Sequence, residues 1–334
     1  MRAIRLHAFG PAEQLVLDEV PDPEPGPGQL RIAVRAAGVH LLDTAIRSGI
    51  RGPVPALPEL PTIPGREVAG VVDAVGPGTD PAWLGKRAVT HLGFAPGGYA
   101  ELAVVDADRP HEIPAGLDEA AAVAMIGTGR TAMGILQFAE VGPESVVLVP
   151  AAAGGIGTLL VQYAKNAGAT VVGLAGGPRK VALVEADGAD LAVDYRQPDW
   201  PDKVRAHLGG RAATVVFDGV GGAAGRAAVE LLGRGGTHVV FGWSSQGLAE
   251  ADEHRLDAAE LAERGITSVE ALGLPMLERA GGERPIRTLE LRSLTEAAAG
   301  RLRPRVQRFP LAEAVAAHLA LEGRGTVGKV VLEP

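Results

Sequence analysis

Apolar residues recur along this chain in two rhythms. Leu30, Ile32 and Val34 alternate with Arg31, Ala33 and Arg35, the two-residue period of a strand with one buried face. Further strands are predicted near 68–75, 87–90 and 99–105, so the region before about residue 120 reads as β-rich. From Ser145 the pattern changes. Val146, Val147, Leu148 and Val149 run without interruption, as in a strand covered on both faces of a parallel sheet. A glycine turn follows, then a helix with Ile156, Leu160 and Tyr163 on one stripe, then a second strand over 171–174. Strands at 190–195, 214–217, 237–241 and 266–271 alternate with helices at 199–208 and 226–232. That alternation predicts an α/β fold with a doubly wound parallel sheet, whose ligands bind beyond the carboxyl ends of its strands.

Two alanine-rich helices, 118–125 and 128–138, lead into this region. A tail with helices at 289–302 and 312–321 and a strand at 329–332 follows it, with no further strand–helix repeat to complete. Residues 21–28 (PDPEPGPG) form a turn-rich loop, because proline fixes φ and glycine permits reversal. Residues 51–64 carry five prolines and cannot be a regular helix or a central strand.

Composition narrows the function classes. The net charge of −8 argues against nucleic acid or an anionic membrane surface as the main partner. No apolar run approaches the ~20 residues of a transmembrane helix, and MRAIRLHAFG at the start lacks the apolar region of a secretory signal. A cytoplasmic location is expected. The absence of cysteine excludes disulfides, thiol catalysis and cysteine-ligated zinc.

The candidate chemistry lies in the turn after the strand at 146–149. Ala151-Ala-Ala-Gly-Gly-Ile-Gly157 joins that strand to a helix, the arrangement that seats a dinucleotide pyrophosphate at a helix N-terminus. Gly154 and Gly155 let backbone approach the pyrophosphate, Gly157 lets the helix sit close to the sheet, and Ala152 stands where the first glycine of G-x-G-x-x-G is expected. An NAD site has an acidic residue at the end of the next strand for the ribose 2′-hydroxyl. Here Ala175, Gly176 and Gly177 are followed by Pro178, Arg179 and Lys180. Two cations and no carboxylate suit a 2′-phosphate, so NADP(H) is the expected cofactor.

In order, the chain carries Ala37-Gly-Val-His-Leu-Leu-Asp-Thr-Ala-Ile-Arg-Ser-Gly49, Pro64-Gly-Arg-Glu-Val-Ala-Gly70, the glycine turn, Val193-Asp-Tyr195, Phe217-Asp-Gly-Val-Gly221 and Gly328-Lys-Val-Val-Leu332. This series resembles the medium-chain dehydrogenase/reductase superfamily, and more closely its zinc-independent, zeta-crystallin-like quinone oxidoreductase branch. The resemblance implies a GroES-like β-rich catalytic domain over 1–120, a Rossmann domain over 121–274 and a segment over 275–334 that returns to the first domain, with a cleft between the two domains. It also implies NADPH as hydride donor, an electron-poor acceptor such as a quinone or enone, and a homodimer in which the strand at 266–271 pairs with its copy.

Cofactor positions implied by the resemblance are Gly154, Gly155, Ile156 and Gly157, Lys180 and Tyr195 near the 2′-phosphate and adenosine, Gly242, Trp243 and Ser244 after the fifth strand, Arg324 near the C-terminus, and Thr131 close to the nicotinamide. Arg179, the second cation of its loop, and Gly219, at the carboxyl end of the strand at 214–217, complete the set on the residues' own chemistry and place. In the alcohol-dehydrogenase branch metal ligands are expected where this chain has His40, Arg66 and Gly127. Those three cannot build a tetrahedral site, so no metal is expected.

The branch pattern has asparagine at His40 and often tyrosine at Ala45, and that tyrosine is a candidate proton donor in enoyl reductases. His40 and Asp43 are therefore weak catalytic candidates here, Asp43 reading also as a helix cap or salt-bridge partner. Three functions follow: an NADPH-dependent reductase of quinones or activated α,β-unsaturated carbonyls, an enoyl-thioester or enone reductase of a lipid or polyketide pathway, and a catalytically silent NADPH-binding sensor or scaffold.

Overall fold

The computed structural model describes every residue except Pro53, Trp243 and 245–255. The chain divides into two compact units, Met1–Gly127 with Pro304–Pro334, and Thr128–Arg303.

The first unit begins with a hairpin of β1 (Arg2–Leu6) and β2 (Leu15–Glu19). Then come β3 (Gln29–Val39), α1 (Leu41–Arg47), β4 (Glu67–Val75), β5 (Arg87–His91), β6 (Leu102–Asp106), β7 (His111–Glu112) and α2 (Glu119–Ala124). The alternation read at residues 30–35 is realised in β3, where Leu30, Ile32 and Val34 are buried. β3 is the hub of the sheet, pairing antiparallel with β4 and β6. Residues 51–64 form neither helix nor strand among those described.

The second unit opens with α3 (Arg130–Ile135), then β8 (Val146–Pro150), α4 (Gly155–Asn166), β9 (Thr170–Ala175), α5 (Pro178–Ala186), β10 (Leu191–Asp194), α6 (Trp200–Leu208), β11 (Ala213–Asp218), α7 (Gly222–Val229), β12 (Leu232–Val240), α8 (Ala258–Arg264), β13 (Thr267–Glu270), α9 (Leu274–Ala280) and α10 (Pro285–Ala298). Its sheet runs β10-β9-β8-β11-β12-β13, all parallel. The sheet is wound outward one way from β8 to β10 and the other way from β11 to β13, which makes the carboxyl ends of β8 and β11 the switch point where such sheets bind ligands. The unbroken apolar run has a simple cause. Val147 and Val149 pack in one core layer with Leu160, Val161 and Ala164 of α4, while Val146 and Leu148 pack in the other with Val204 of α6 and Val229 of α7.

The chain then returns to the first unit through β14 (Val306–Pro310), α11 (Ala314–Glu322) and β15 (Lys329–Glu333), which pairs with β3. The boundaries differ from those read in the sequence. Residues 275–303 stay with the second unit because α9 and α10 pack against α3: a Cβ on Gly134 would come within 2.2 Å of Met276 Sδ in α9 and 3.5 Å of Leu289 in α10. Residues 121–127 stay with the first, where α2 packs on β3 and β4. The helix expected at 226–232 starts earlier, since Gly221 and Gly222, at φ 64° and 60°, reverse the chain immediately after β11. No described helix is long and apolar enough to cross a membrane.

Candidate functional site

The glycine turn lies at the switch point. The buried stripe of α4 runs through Gly157, Leu160, Val161 and Ala164, one position on from Ile156 and Tyr163, which flank it half-buried. A Cβ on Gly157 would stand 2.4 Å from the Ala151 carbonyl oxygen and 2.8 Å from Ala152 Cα. Glycine is therefore what lets the helix start against the strand. The tight turn itself is made by Ala151, at φ 54°, rather than by Ala152. A left-handed alanine costs about 1–2 kcal/mol, and such strain gathers at ligand sites. Gly154 is the N-cap and offers no side-chain cap. The first N–H groups of α4 have no intrahelical acceptor. Uncapped donors beside side-chain-free backbone fit a pyrophosphate.

The neighbouring loop carries the charge. Ala152 N–H bonds the Leu174 carbonyl (2.9 Å) and Tyr195 N–H bonds the Ala175 carbonyl (3.2 Å), so the ends of β8, β9 and β10 sit side by side. A Cβ on Gly176 would lie 3.3 Å from Tyr195 Oη. Gly177, at φ 95°, caps α5 without a side chain, and Arg179 and Lys180 occupy the first turn. Burial lowers the Lys180 ammonium below its usual range, and the cations of Arg196 and Arg179 lower it further. Cations crowded to this degree favour a bound anion. Arg196 was not among the positions singled out in the sequence. Its guanidinium reaches Gly177, where a Cβ would be 2.4 Å from Nη2. An arginine directly after Tyr195, itself at a strand end, was the available signal.

Of the other expected positions, Gly219 and Gly242 end β11 and follow β12. Both are glycine for packing reasons: a Cβ on Gly219 would strike the Phe241 ring at 2.5 Å, and one on Gly242 would meet the Gly219 carbonyl oxygen at 2.9 Å. Ser244 N–H reaches that carbonyl (3.3 Å). Thr131 is half-buried in α3. Trp243 lies outside the described residues. Arg324 belongs to the first unit, at φ 54° between α11 and β15.

In the first unit, His40 and Asp43 open α1. The Asp43 carboxylate accepts from His40 N–H (2.8 Å) and from the Tyr99 hydroxyl (3.1 Å), and faces Arg66 Nε at 3.4 Å. It is a buried cap that also ties the Tyr99 hydroxyl and Arg66 to the start of α1. His40 Nε2 lies 2.6 Å from Glu67 Oε1 and 2.8 Å from Lys329 Nζ, and Lys329 Nζ lies 2.8 Å from Glu67 Oε2. Each Glu67 oxygen thus faces one nitrogen, Oε1 that of His40 and Oε2 that of Lys329. Glu67 and Lys329 are sealed, with side chains 0% and 4% exposed, whereas His40 keeps 24%. Burial alone would raise the Glu67 carboxyl, but His40 and Lys329 outweigh it and hold the group well below the usual carboxylate range. Burial lowers the Lys329 ammonium, opposed by Glu67.

These residues do not fit a catalytic metal. Arg66 is turned to Asp43, and a Cβ on Gly127 would fall 1.4 Å from Glu67 Oε1. The Glu67 carboxylate fills that space, and the Lys329 ammonium supplies the facing positive charge. Among the described residues no group of three or more His, Asp or Glu could hold a metal ion.

Beside Asp43, buried His318 contacts the Tyr99 hydroxyl through Nε2 (3.3 Å), and its Nδ1 has no hydrogen-bond partner. Burial pushes its pKa down to about 4, Asp43 opposing and Arg47 assisting. The unfolded chain, near 6.5, then binds a proton that the folded chain refuses. Stability is present above about pH 6.5 and is lost as pH falls toward 4. Chemical denaturation should show about 2 kcal/mol less stability at pH 5 than at pH 7 from this group, and His318→Leu should remove that increment. An unchanged pH slope in the variant would refute the assignment.

The matches to known proteins agree with this geometry. The alcohol dehydrogenase GroES-like domain model matches residues 26–115 and the zinc-binding dehydrogenase model residues 155–274. The 2-haloacrylate reductase of a Burkholderia species is 33% identical, across 98% of this chain and 98% of its own length. The chain belongs to the medium-chain dehydrogenase/reductase superfamily, in its quinone oxidoreductase branch. Quinone oxidoreductase 1 of Escherichia coli K12 is 31% identical, across 99% of both chains. The solved structure of an Escherichia coli quinone oxidoreductase complexed with NADPH superposes with a TM-score of 0.85 at 28% identity, covering all of both chains. Membership in this superfamily coexists here with metal positions that carry no ligand set.

Proposed function

We propose that this protein is an NADPH-dependent oxidoreductase that passes hydride to a quinone or an activated α,β-unsaturated carbonyl without a metal ion. The observation that carries the reading is the uncapped start of α4 beside a loop of side-chain-free backbone and three cations, Arg179, Lys180 and Arg196. When bound, NADPH supplies the hydride at its nicotinamide. The chain holds the pyrophosphate on the first N–H groups of α4, and holds the 2′-phosphate with Lys180, Arg179 and Tyr195. Each reduction also consumes a proton. Water supplies it, and His40 is the member of the His40–Glu67–Lys329 cluster open to solvent. Asp43 is assigned to capping α1 rather than to chemistry.

The relative named for 2-haloacrylate supports an activated alkene as acceptor, since an acrylate and a quinone share a carbon–carbon double bond conjugated to a carbonyl. An acceptor panel of benzoquinone, 2-chloroacrylate and an enoyl thioester separates quinone and activated-alkene reduction from thioester reduction. NADPH binding with no turnover on any of them would instead favour a silent binding protein. The edge position of β13 in the parallel sheet supports pairing with a second copy in a homodimer.

Lys180→Ala is expected to weaken NADPH by about 1–3 kcal/mol, as for a lost hydrogen bond to a charged group, while NADH binding barely changes. Calorimetric titration with both nucleotides checks this, and equal losses would defeat the phosphate assignment.

A further inference from the structure

Although β9 ends without a carboxylate, the adjacent strand ends with one. Asp194 closes β10 opposite Ala175 of β9. Its carboxylate receives the Arg196 side chain in two-pronged fashion, Nε to Oδ1 and Nη2 to Oδ2, both at 3.0 Å. It also accepts from the backbone N–H of Arg196 (3.1 Å) and from that of Gly177. The Asp194 side chain is 14% exposed and that of Arg196 57%. Asp194 thus pins the guanidinium against Gly177, beside Lys180 and Arg179, and is itself covered by it. This arrangement places a carboxylate beside the Gly177 end of the neighbouring loop and covers it with an arginine.

We propose that Arg196 is a further determinant of cofactor choice, a third cation for the 2′-phosphate, and that Asp194 is both its anchor and a latent discriminator against that phosphate. The proposal rests on the NADPH reading above. A planar guanidinium suits a phosphate through paired N–H donors, and an exposed one can lean from Asp194 to the incoming anion with little reorganisation. Without Arg196, the Asp194 charge faces the 2′-position. There it repels a phosphate and can accept from a ribose hydroxyl, as carboxylates do in NAD sites.

The experiment is calorimetric titration of NADPH and NADH into wild type, Arg196→Gln, Arg196→Lys, Asp194→Asn and the Arg196→Gln/Asp194→Asn double variant, with thermal melting to verify folding. In Arg196→Gln the NADPH-to-NADH affinity ratio should fall by about tenfold or more, the scale of one charged hydrogen-bonding partner, with NADH unchanged or tighter. The double variant should recover part of the ratio, because the unmasked carboxylate is gone. Arg196→Lys should lie between wild type and Arg196→Gln, and Asp194→Asn should lower the ratio by a few-fold through loss of the anchor. An unchanged ratio in a folded Arg196→Gln variant, or a double variant no better than the single, would overturn the proposal. Failure of wild type to bind NADPH would instead sink the underlying reading.

Discussion

Lys329→Met is expected to lower stability by about 3–5 kcal/mol, the range for breaking a buried ion pair by removing one partner. The substitution leaves Glu67 with a charge, no exposure and, in place of the ammonium, only imidazoles facing it, His40 at 2.6 Å and His91 further off. The space around the carboxylate is tight: Gly38 and Gly127 are glycine because a Cβ on either would enter it, at 2.3 Å from Oε2 and 1.4 Å from Oε1. The expected loss is one of uncompensated charge, so removing the charge should restore much of it. Glu67→Gln combined with Lys329→Met should recover at least half, since replacing a whole buried pair is often close to neutral. Urea denaturation of the wild type, the single variant and the double variant decides the matter. A single-variant cost below about 1 kcal/mol, the level of an exposed pair, would mean that this cluster is not sealed as described.

Gly157→Ala is expected to remove most nucleotide affinity and to cost about 1–3 kcal/mol of stability, the usual scale of overpacking. The atoms a new methyl would meet, the Ala151 oxygen and Ala152 Cα, are both backbone, so neither can swing aside. α4 must shift away from the turn, and its N–H groups move with it. Gly142→Ala is the control, since a Cβ there meets nothing within 4 Å. NADPH titration should show Gly157→Ala weaker by about tenfold or more, against little change in the control. Wild-type affinity in Gly157→Ala would show that the start of α4 does not hold the nucleotide.

Local chemistry made much of this molecule legible in its sequence. Val146 to Val149 read as a doubly covered strand because both of its faces are apolar, and the glycine turn sits where the sheet order reverses. Leu30, Ile32 and Val34 gave β3 through simple alternation. What could not be read depends on distant partners. Lys329 and His40 are 289 positions apart yet 2.8 Å from one another, and Glu67, which faces both, opens β4 with nothing local to mark it. A lysine opening an otherwise buried strand was the one hint. α9 and α10 join the second unit through Met276 and Leu289, which close on Gly134 as no periodicity announces. The left-handed turn fell to Ala151 although local preference gives such positions to glycine. The place of Arg196 beside Gly177 is not legible because it depends on β10 lying beside β9.

Recognition of a 2′-phosphorylated dinucleotide by the second unit is the property on which the proposed function most directly depends. Titrating wild-type protein with NADPH and with NADH, at one fixed and moderate ionic strength, tests it in one measurement. The account predicts saturable one-to-one binding of NADPH at least about tenfold tighter than NADH, a difference of about 1.4 kcal/mol. Equal affinities, a preference for NADH, or no binding of either nucleotide would contradict it.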